Sequence, residues 1–364
     1  MGWIAFEDPL RVGVKEAVRL CKGAGIKLQL ITGDYRETAV EIAKQAEIYT
    51  DGMIVSGDEL EEMNDEKLSQ HIKKIQLFYR VKPLQKLRIV NALKNNNEVV
   101  SMTGDGINDA PALKAADVGI AMGRRGTAVA KDAAAIILMD DNFNSIVTGI
   151  QLGRRTYDNL QKAFSYIISI HIPIIGLTLL PAFITDFPIL LMPIHIVLLE
   201  LMIDPISSIT FEKIKEEKNT MLIPPRGVFV KFFNQHEWKK SIIEGLILYG
   251  TTLLVFFISK YNHQHELQIR TNVFIAFVSG NLLLVINQLS RKESIIKSLY
   301  QISKPIIITN LTIVTILLLL IIVPYFRSLF KFGLPDFQDL GTILIALIFL
   351  ALTLSILKRR KRVF

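Results

Sequence analysis

The chain has 364 residues, a formal net charge of +8 and 50% hydrophobic residues. Residues 1–160 are charged and mixed, whereas long apolar runs fill most of the rest, which excludes a single soluble domain and favours a cytosolic domain joined to a membrane domain. The basic residues lie mostly beside the apolar runs, as at Arg154, Arg155 and 358–362, which indicates cytoplasmic membrane flanks and argues against nucleic-acid binding. A lone cysteine, Cys21, excludes an intrachain disulfide.

The first part of the chain, residues 1–155, alternates short apolar runs with helical stretches. This alternation predicts an α/β domain with a Rossmann-like parallel sheet, in which ligands bind at the carboxyl ends of the strands. The strand-like runs are Ile26–Ile31, Leu77–Val81, Val99–Thr103, Val118–Ala121 and Ala135–Leu138, and the helical stretches are Glu37–Ala46, Pro83–Lys94 and Thr127–Ala134.

The second part, residues 156–364, is predicted to be an all-α membrane domain of six transmembrane helices. Each of six apolar segments approaches the ~20 residues that a helix needs to cross the hydrocarbon core. Pro173 and Pro181 interrupt the first, and membrane helices tolerate proline better than soluble ones. The segments cover about residues 163–184, 189–209, 241–259, 271–289, 305–325 and 340–357.

Six crossings of a lipid bilayer would return the chain to the side on which it began. The connections 210–240 and 291–304 and the basic tail carry many Lys and Arg, whereas 185–188, 260–270 and 326–339 carry fewer. By the positive-inside rule, both termini are therefore expected in the cytoplasm. We expect an integral multi-pass protein of the plasma membrane.

The densest group of polar side chains lies in TGDGINDAPALKAADVGIAMG, Thr103–Gly123, directly after an apolar strand. It places Asp105 and Asp109 around Gly106 and Asn108. Two carboxylates and an amide at a strand end suit a hard cation with oxygen ligands, most simply Mg²⁺, and glycine lets the backbone approach a phosphate closely. A bare DGxND would also fit an acidic surface turn with Asp109 as a helix cap.

Three further motifs precede this stretch in order: DPLR (Asp8–Arg11), TGD (Thr32–Asp34) and FYRVKPLQKLRIV (Phe78–Val90). Together the four motifs resemble the P-type cation-transporting ATPases of the haloacid dehalogenase superfamily, especially their calcium-pump-like type II members. The resemblance continues into the membrane part. It implies a haloacid-dehalogenase-like fold for the first domain, ATP as substrate, Mg²⁺ as cofactor and a transported cation.

The resemblance also implies which residues bind phosphate. Thr32 and the Gly33 amide would hydrogen-bond phosphate oxygens, since phosphoryl transfer needs donors and positive charge around those oxygens. Asp34 belongs to the same motif and would also suit the cap of the following helix. Lys86 would supply a fixed cation near an aspartyl phosphate; alone it would suit a solvated helix lysine, but its position after Arg-Val-x-Pro favours catalysis.

The ion-binding residues of the first domain follow in the same way. Asp105 would hold Mg²⁺, with Asp109 and Asn108 completing its surroundings. The family's nucleophile lies in a DKTGT motif, which this chain lacks. The nucleotide-binding domain, the actuator loop TGES and the first four membrane helices are also missing. We therefore expect a fragment, a split gene product or a truncated sequence that is inactive alone and whose partner is the missing amino-terminal part.

Two carboxylates lie inside the second apolar segment. Glu200 and Asp204 are four residues apart, so they share one helix face, and Pro205 frees a carbonyl one turn earlier. Ionisable groups at membrane depth are costly and indicate function by default. The pair therefore predicts an oxygen cage for a cation, although a pair near the interface that snorkels or is protonated would also fit.

Two more polar residues match ion-binding positions of the calcium pumps. His171 aligns with an amide, and Ile174 aligns with a glutamate that is lost here, which implies one calcium site instead of two. His171 suits an ion ligand, a proton carrier or a hydrogen bond between helices. Asn281, in the fourth segment, lies near another ion-binding position. Ca²⁺ is the favoured cargo.

Two other functions compete with a cation pump. A haloacid-dehalogenase-type phosphatase with a membrane anchor would need a DxD nucleophile before residue 30, where the chain has Glu7 and Asp8 without that pattern, and would carry no acids inside the membrane. A non-catalytic remnant of a pump gene would have no reason to retain Thr32, Lys86 and the acids that follow.

Overall fold

The computed structural model describes residues 9–185, 187–217, 219–227, 229–290 and 302–360, without the side chains of 204, 205, 207, 208, 359 and 360. Asp8 of the DPLR motif therefore lies outside the described residues. The chain divides into two compact units. The first contains residues 1–154 and 218–230, and the second contains 155–217 and 231–364.

Two small parallel sheets form the centre of the first unit. With the strands numbered along the chain, the strand orders of the two sheets are β1-β3-β2 and β4-β5-β6. Every pair of neighbouring strands among the described residues is parallel. The central strands are the most buried, while β1 and β4 are partly exposed. The strands are β1 (Leu30–Ile31), β2 (Met53–Ser56), β3 (Ile75–Tyr79), β4 (Ser101–Gly104), β5 (Val118–Met122) and β6 (Ile136–Leu138).

Short helices connect these strands, as parallel pairing requires. Local side chains fix where several of these helices begin. At the helix after β2, the Ser56 hydroxyl accepts the Glu59 backbone amide at 3.1 Å, and the Glu59 carboxylate accepts the Ser56 backbone amide at 2.7 Å. The helices are α1 (Val14–Gly23), α2 (Arg36–Gln45), α3 (Gly57–Glu62), α4 (Asp65–His71), α5 (Pro83–Asn95), α6 (Ala110–Ala115) and α7 (Ala128–Ala133).

Helix α5 packs against both sheets. Its Ile89 belongs to the apolar cluster that holds Phe78 of β3, and its Val90 belongs to the cluster that holds Met102 of β4. Leu93 contacts both clusters. Because α5 begins after β3 and ends before β4, it carries the chain from the first sheet to the second.

The second unit is helical. Among the described residues, five helices are long and apolar enough to cross a membrane, and they cover residues 143–183, 235–261, 266–288, 304–322 and 337–358. The predicted segment 189–209 instead forms a 13-residue helix, α9, followed by the π-helical turn Ile206–Thr210. The helices are α8 (Phe143–Phe183, which begins in the first unit), α9 (Pro193–Pro205), α10 (Gln235–Tyr261), α11 (Glu266–Gln288), α12 (Lys304–Ile322), α13 (Pro324–Leu329) and α14 (Phe337–Arg360).

Helices α8 and α10 approach each other closely. A Cβ at Gly245 would lie 2.5 Å from the Ser169 carbonyl oxygen, so only glycine fits there. That carbonyl has no helical donor, because Pro173 lacks the N–H that would reach it. The Ser165 and Ser241 hydroxyls join the same two helices at 2.8 Å.

A buried polar cluster closes one end of the bundle. Glu244 of α10, 4% exposed, accepts hydrogen bonds from Asn287 at 3.1 Å and from Gln288 at 2.6 Å. Lys162 of α8 donates to the Leu289 carbonyl at 3.2 Å. The Lys162 contact places a cation at the end of α11, where helix carbonyls lack partners and favour positive charge.

Candidate functional site

An ion pair links the two motifs that follow β3 and β4. The Lys86 Nζ atom lies 2.6 Å from Asp109 Oδ1, and their side chains are 18% and 8% exposed. The other carboxylate oxygen, Oδ2, accepts the Gly106 amide at 3.2 Å. Asp109 therefore uses both oxygens to hold the lysine and its own turn.

Local structure fixes both members of this pair. Lys86 lies in the first turn of α5, which the Gln85 side chain ties down by accepting the Lys82 amide at 2.8 Å and donating to the Gly57 carbonyl at 2.7 Å. Asp109 ends a 3₁₀ turn after β4. A Cβ at Gly104 would lie 2.5 Å from the Asp109 Cβ, so glycine is required for the carboxylate to fold back.

The TGD motif follows β1 and is tied to the end of β3. The Thr32 carbonyl accepts the Val81 amide at 3.0 Å, and the Asp34 carbonyl accepts the Arg80 amide at 3.1 Å. The Thr32 hydroxyl donates to Asp34 Oδ2 at 2.7 Å and accepts the Asp34 amide at 3.1 Å. Asp34 thus orients the threonine, while Gly33 is exposed.

Asp105 and Asn108 have exposed side chains. The Asp105 carbonyl accepts the Thr127 amide at 2.9 Å, which fixes the backbone, whereas its carboxylate makes no hydrogen bond within the described ranges. A free carboxylate at a strand end fits one ligand position of Mg²⁺, which keeps waters and phosphate oxygens on its other positions. No group of three or more His, Cys, Asp or Glu side chains suited to a metal occurs in the described part of the chain.

A second polar site lies among the membrane helices. The His171 Nε2 atom of α8 is 3.5 Å from Glu200 Oε1 of α9. The His171 Nδ1 atom is 2.8 Å from the Ile167 carbonyl and donates to it, because a carbonyl can only accept. When His171 is neutral, its hydrogen is on Nδ1, and the lone pair of Nε2 faces the Glu200 carboxylate. The side chain of Asp204 lies outside the described residues.

Two further polar side chains are buried in the second unit. Tyr166 of α8 and Asn281 of α11 are 0% and 3% exposed. Asn281 was predicted from its apolar segment, whereas Tyr166 was not, because its place in an apolar helix gives no polar pattern.

Two family models match the chain. Residues 2–117 match the haloacid dehalogenase-like hydrolases, and residues 188–361 match the carboxy-terminal part of cation-transporting ATPases. The chain belongs to the P-type cation-transporting ATPases of the haloacid dehalogenase superfamily, which confirms the family predicted from the four motifs. With its apolar helices, it is a multi-pass membrane protein.

Similar proteins are transport ATPases by name. "Calcium-transporting ATPase type 2C member 1" of Homo sapiens is 35% identical over 298 residues, 81% of this chain and 32% of that protein. "Calcium-transporting ATPase 1" of Bacillus cereus is 32% identical over 379 residues, 100% of this chain and 42% of that protein. "P-type sodium-transporting ATPase4" of Toxoplasma gondii is 42% identical over 240 residues, which are 62% of this chain and 18% of that protein. The chain thus spans less than half the length of these relatives.

Proposed function

We propose that this chain is the carboxy-terminal part of an ATP-driven pump that works through an aspartyl phosphate and moves a cation across the membrane. The observation that supports it most is the partly buried Lys86–Asp109 pair at 2.6 Å, which links the residues that follow β3 and β4. A lysine held in place by a carboxylate keeps its charge without further reorganisation when a phosphoryl group arrives, which is how electrostatic catalysis works.

Each motif then has a defined task in phosphoryl transfer. The Gly33 amide donates to an oxygen of the phosphoryl group, and the Thr32 hydroxyl, which donates to Asp34 in this structure, turns its proton to a second oxygen when that group arrives. The Lys86 ammonium offsets the negative charge on those oxygens, and Asp109 positions that ammonium. Asp34 orients the Thr32 hydroxyl, with which it shares a 2.7 Å hydrogen bond.

Asp105 is the ligand that this chain offers to Mg²⁺, and Asn108 lies beside it on the same turn. Asp105 would hold the ion at this strand end, and the ion would supply positive charge that offsets part of the negative charge on the phosphoryl group. Asp109, the other carboxylate predicted for the ion, contributes by holding Lys86 and the turn that carries Asp105, because both of its oxygens already have partners.

The nucleophilic aspartate comes from the missing amino-terminal part. Among the described strands, the lateral strands β1 and β4 each pair with one neighbour and are partly exposed, and α5 packs against both sheets. One further parallel strand between β1 and β4 would join the two sheets. Its carboxyl end would then lie between the TGD and TGDG motifs, where an acceptor aspartate is needed.

The transported cation binds around Glu200 and Asp204, with His171 and Asn281 as further ligands. Carboxylate and amide oxygens suit Ca²⁺, the favoured cargo. The 3.5 Å separation between His171 and Glu200 leaves both groups available for the ion. Residues 1–155 form the cytosolic domain and 156–364 the membrane domain, with six crossings of the plasma membrane and both chain ends in the cytoplasm.

The test uses the reassembled pump, which is this chain expressed together with an amino-terminal part that carries the family's DKTGT and TGES motifs. In sealed vesicles, ATP and Ca²⁺ should give an acid-stable phosphoprotein and ATP-dependent Ca²⁺ uptake. Hydrolysis of a small phosphate ester by this chain alone, abolished by Asp105→Ala, would instead support an anchored phosphatase. A DNA sequence that encodes no DKTGT segment upstream would contradict the split-pump arrangement.

A further inference from the structure

The imidazole of His195 lies fully buried at the start of α9 and uses both of its ring nitrogens. Nδ1 accepts the Met192 backbone amide at 3.1 Å, and Nε2 is 2.7 Å from the Phe330 carbonyl. Because a carbonyl can only accept, Nε2 carries the hydrogen and donates it. His195 therefore caps its own helix with one nitrogen and, with the other, binds α9 to the turn that follows α13.

The surroundings of this ring are apolar. Phe332 stacks on it with centroids 4.8 Å apart and planes 9° apart, and Phe274 of α11 packs beside it at a centroid distance of 5.5 Å. A leucine would fill much of the same space without burying two polar nitrogens. The histidine therefore adds what an apolar residue lacks, which is two directional hydrogen bonds that select one position of α9.

The turn that receives the His195 hydrogen bond is itself held by α11. The Gly333 amide donates to the Thr271 hydroxyl at 2.8 Å. Arg270, 5% exposed, donates to the Lys331 carbonyl at 3.1 Å and also to the Ile189 carbonyl, before α9, at 3.0 Å. The turn and the start of α11 thus form a frame, and the segment that leads into α9 is tied to the same frame.

Helix α9 carries the effect of this attachment to the cation site. It has only 13 residues and ends at Pro205, after which the chain changes to a π-helical turn. Glu200 lies five residues after His195 on this helix, roughly 7.5 Å along its axis. The Glu200 carboxylate is 3.5 Å from His171 of α8. Because a helix moves as a rigid unit over such a length, a shift at its start displaces the Glu200 carboxylate relative to α8.

We propose that His195 is a positioning residue for the cation site. Its two hydrogen bonds set the position of α9 and thereby place the Glu200 carboxylate against His171, while His195 itself contacts no ion. The proposal rests on the proposed function, since it adds a supporting residue to the same site.

Two substitutions separate the hydrogen bonds of His195 from the bulk of its side chain. Glutamine offers one oxygen acceptor and one amide donor, so His195→Gln should bind Ca²⁺ with a half-saturating concentration within about twofold of wild type. His195→Leu keeps apolar packing and loses both bonds, so that concentration should rise about tenfold. The maximal levels of bound Ca²⁺ and of phosphoprotein should stay near wild type in both variants, because Glu200 is displaced and not removed.

The measurements use the reassembled pump in detergent. Equilibrium binding of radioactive Ca²⁺ gives the half-saturating concentration without phosphorylation, and labelling with ATP gives it a second time. Hydrogen exchange with mass spectrometry reports the protection of the α9 backbone separately.

Ser259→Ala is the matched control. It removes a buried hydrogen bond of 3.2 Å from the Asn272 side chain, which joins the end of α10 to the start of α11 and does not involve α9. The substitution should lower thermal stability, as the loss of a buried hydrogen bond does, and should leave the half-saturating Ca²⁺ concentration at the wild-type value.

The outcomes separate this proposal from the proposed function. Faster exchange in the first turn of α9 and weaker Ca²⁺ binding in His195→Leu, both restored in His195→Gln, support the proposal. Unchanged Ca²⁺ binding in His195→Leu overturns it, even where α9 exchanges faster, because His195 then serves the fold alone. Binding in His195→Gln that is as weak as in His195→Leu also overturns it.

Two results for the wild-type protein complete the test. If it binds Ca²⁺ but forms no phosphoprotein, the proposed function fails, and the binding comparison between His195→Leu and His195→Gln decides the role of His195 by itself. If it binds no Ca²⁺, both this proposal and Ca²⁺ as the cargo are overturned.

Discussion

Lys86 and Asp109, 23 residues apart in the chain, meet through a 2.6 Å contact between Nζ and Oδ1. The lysine starts a helix after one sheet, and the aspartate ends a turn after the other. The pair therefore depends on both sheets and on α5 between them. Its low exposure also means that water screens the attraction less than it would on the surface.

Lys86→Ala should reduce phosphoprotein formation by the reassembled pump about 10²–10³-fold, since a preorganised charge near the phosphoryl oxygens is removed. Steady-state labelling with ATP at saturating cation measures this. Lys82→Ala is the control: Lys82 is 60% exposed, pairs with Glu61 on the surface, and should leave labelling near the wild-type level. Equal labelling of the two variants would contradict the role of Lys86.

Asp105→Asn should abolish phosphorylation, or nearly so, at millimolar Mg²⁺ while expression and melting stay normal. The reason is that the free carboxylate is the metal ligand that this chain offers. Asp132→Asn, an exposed acid on α7, is the matched control and should keep the wild-type Mg²⁺ dependence. Normal phosphorylation of Asp105→Asn would place the ion elsewhere.

Glu200→Gln and Asp204→Asn should each remove Ca²⁺-stimulated phosphorylation, because a site for a divalent cation in the membrane needs its negative charges. Vesicle uptake of Ca²⁺ provides the second measurement. Glu212→Gln removes an exposed carboxylate after the π-helical turn and should transport normally. Wild-type transport by both membrane variants would show that these acids are structural.

Gly119→Ala and Gly149→Ala should change stability in opposite directions. A Cβ at Gly119, in the central strand β5, would lie 2.3 Å from the Leu113 carbonyl oxygen, so the substitution should destabilise the first unit by about 1–3 kcal/mol. Gly149 is exposed on α8 with nothing within 4 Å, so alanine there should stabilise by about 0.5–1 kcal/mol. Urea unfolding measures both changes in stability. A loss of stability in Gly149→Ala would contradict the helical conformation of that residue.

Local patterns predicted most elements of the first unit. The predicted run Val118–Ala121 and helix Pro83–Lys94 lie within a residue of β5 and α5, because apolar strands and a proline-started helix are encoded locally. Strand β2 and helices α1, α3 and α4 were missed. The Lys86–Asp109 contact was also missed, because nothing in the spacing of residues 23 apart specifies which side chains meet.

The membrane segments show the limit of hydropathy. Residues 189–209 are apolar enough for a span, yet helix α9 covers 13 residues. Pro193 begins it, and Pro205 lacks the N–H that would continue the ladder, so the chain changes to a π-helical turn. Six spans are thus not confirmed. The 3.5 Å approach of His171 to Glu200 depends on two helices at once, which a single-segment pattern cannot encode.

The half-open sheets of the first unit have a practical consequence for anyone who purifies this chain alone. Within the part of the chain that the structure describes, strands β1 and β4 each have a strand partner on one side and none on the other. Such edges recruit strands from other molecules, including those of identical copies. The isolated chain should therefore self-associate through its cytosolic unit even when detergent covers its membrane helices, and the supply of the missing strand should restore a monodisperse protein.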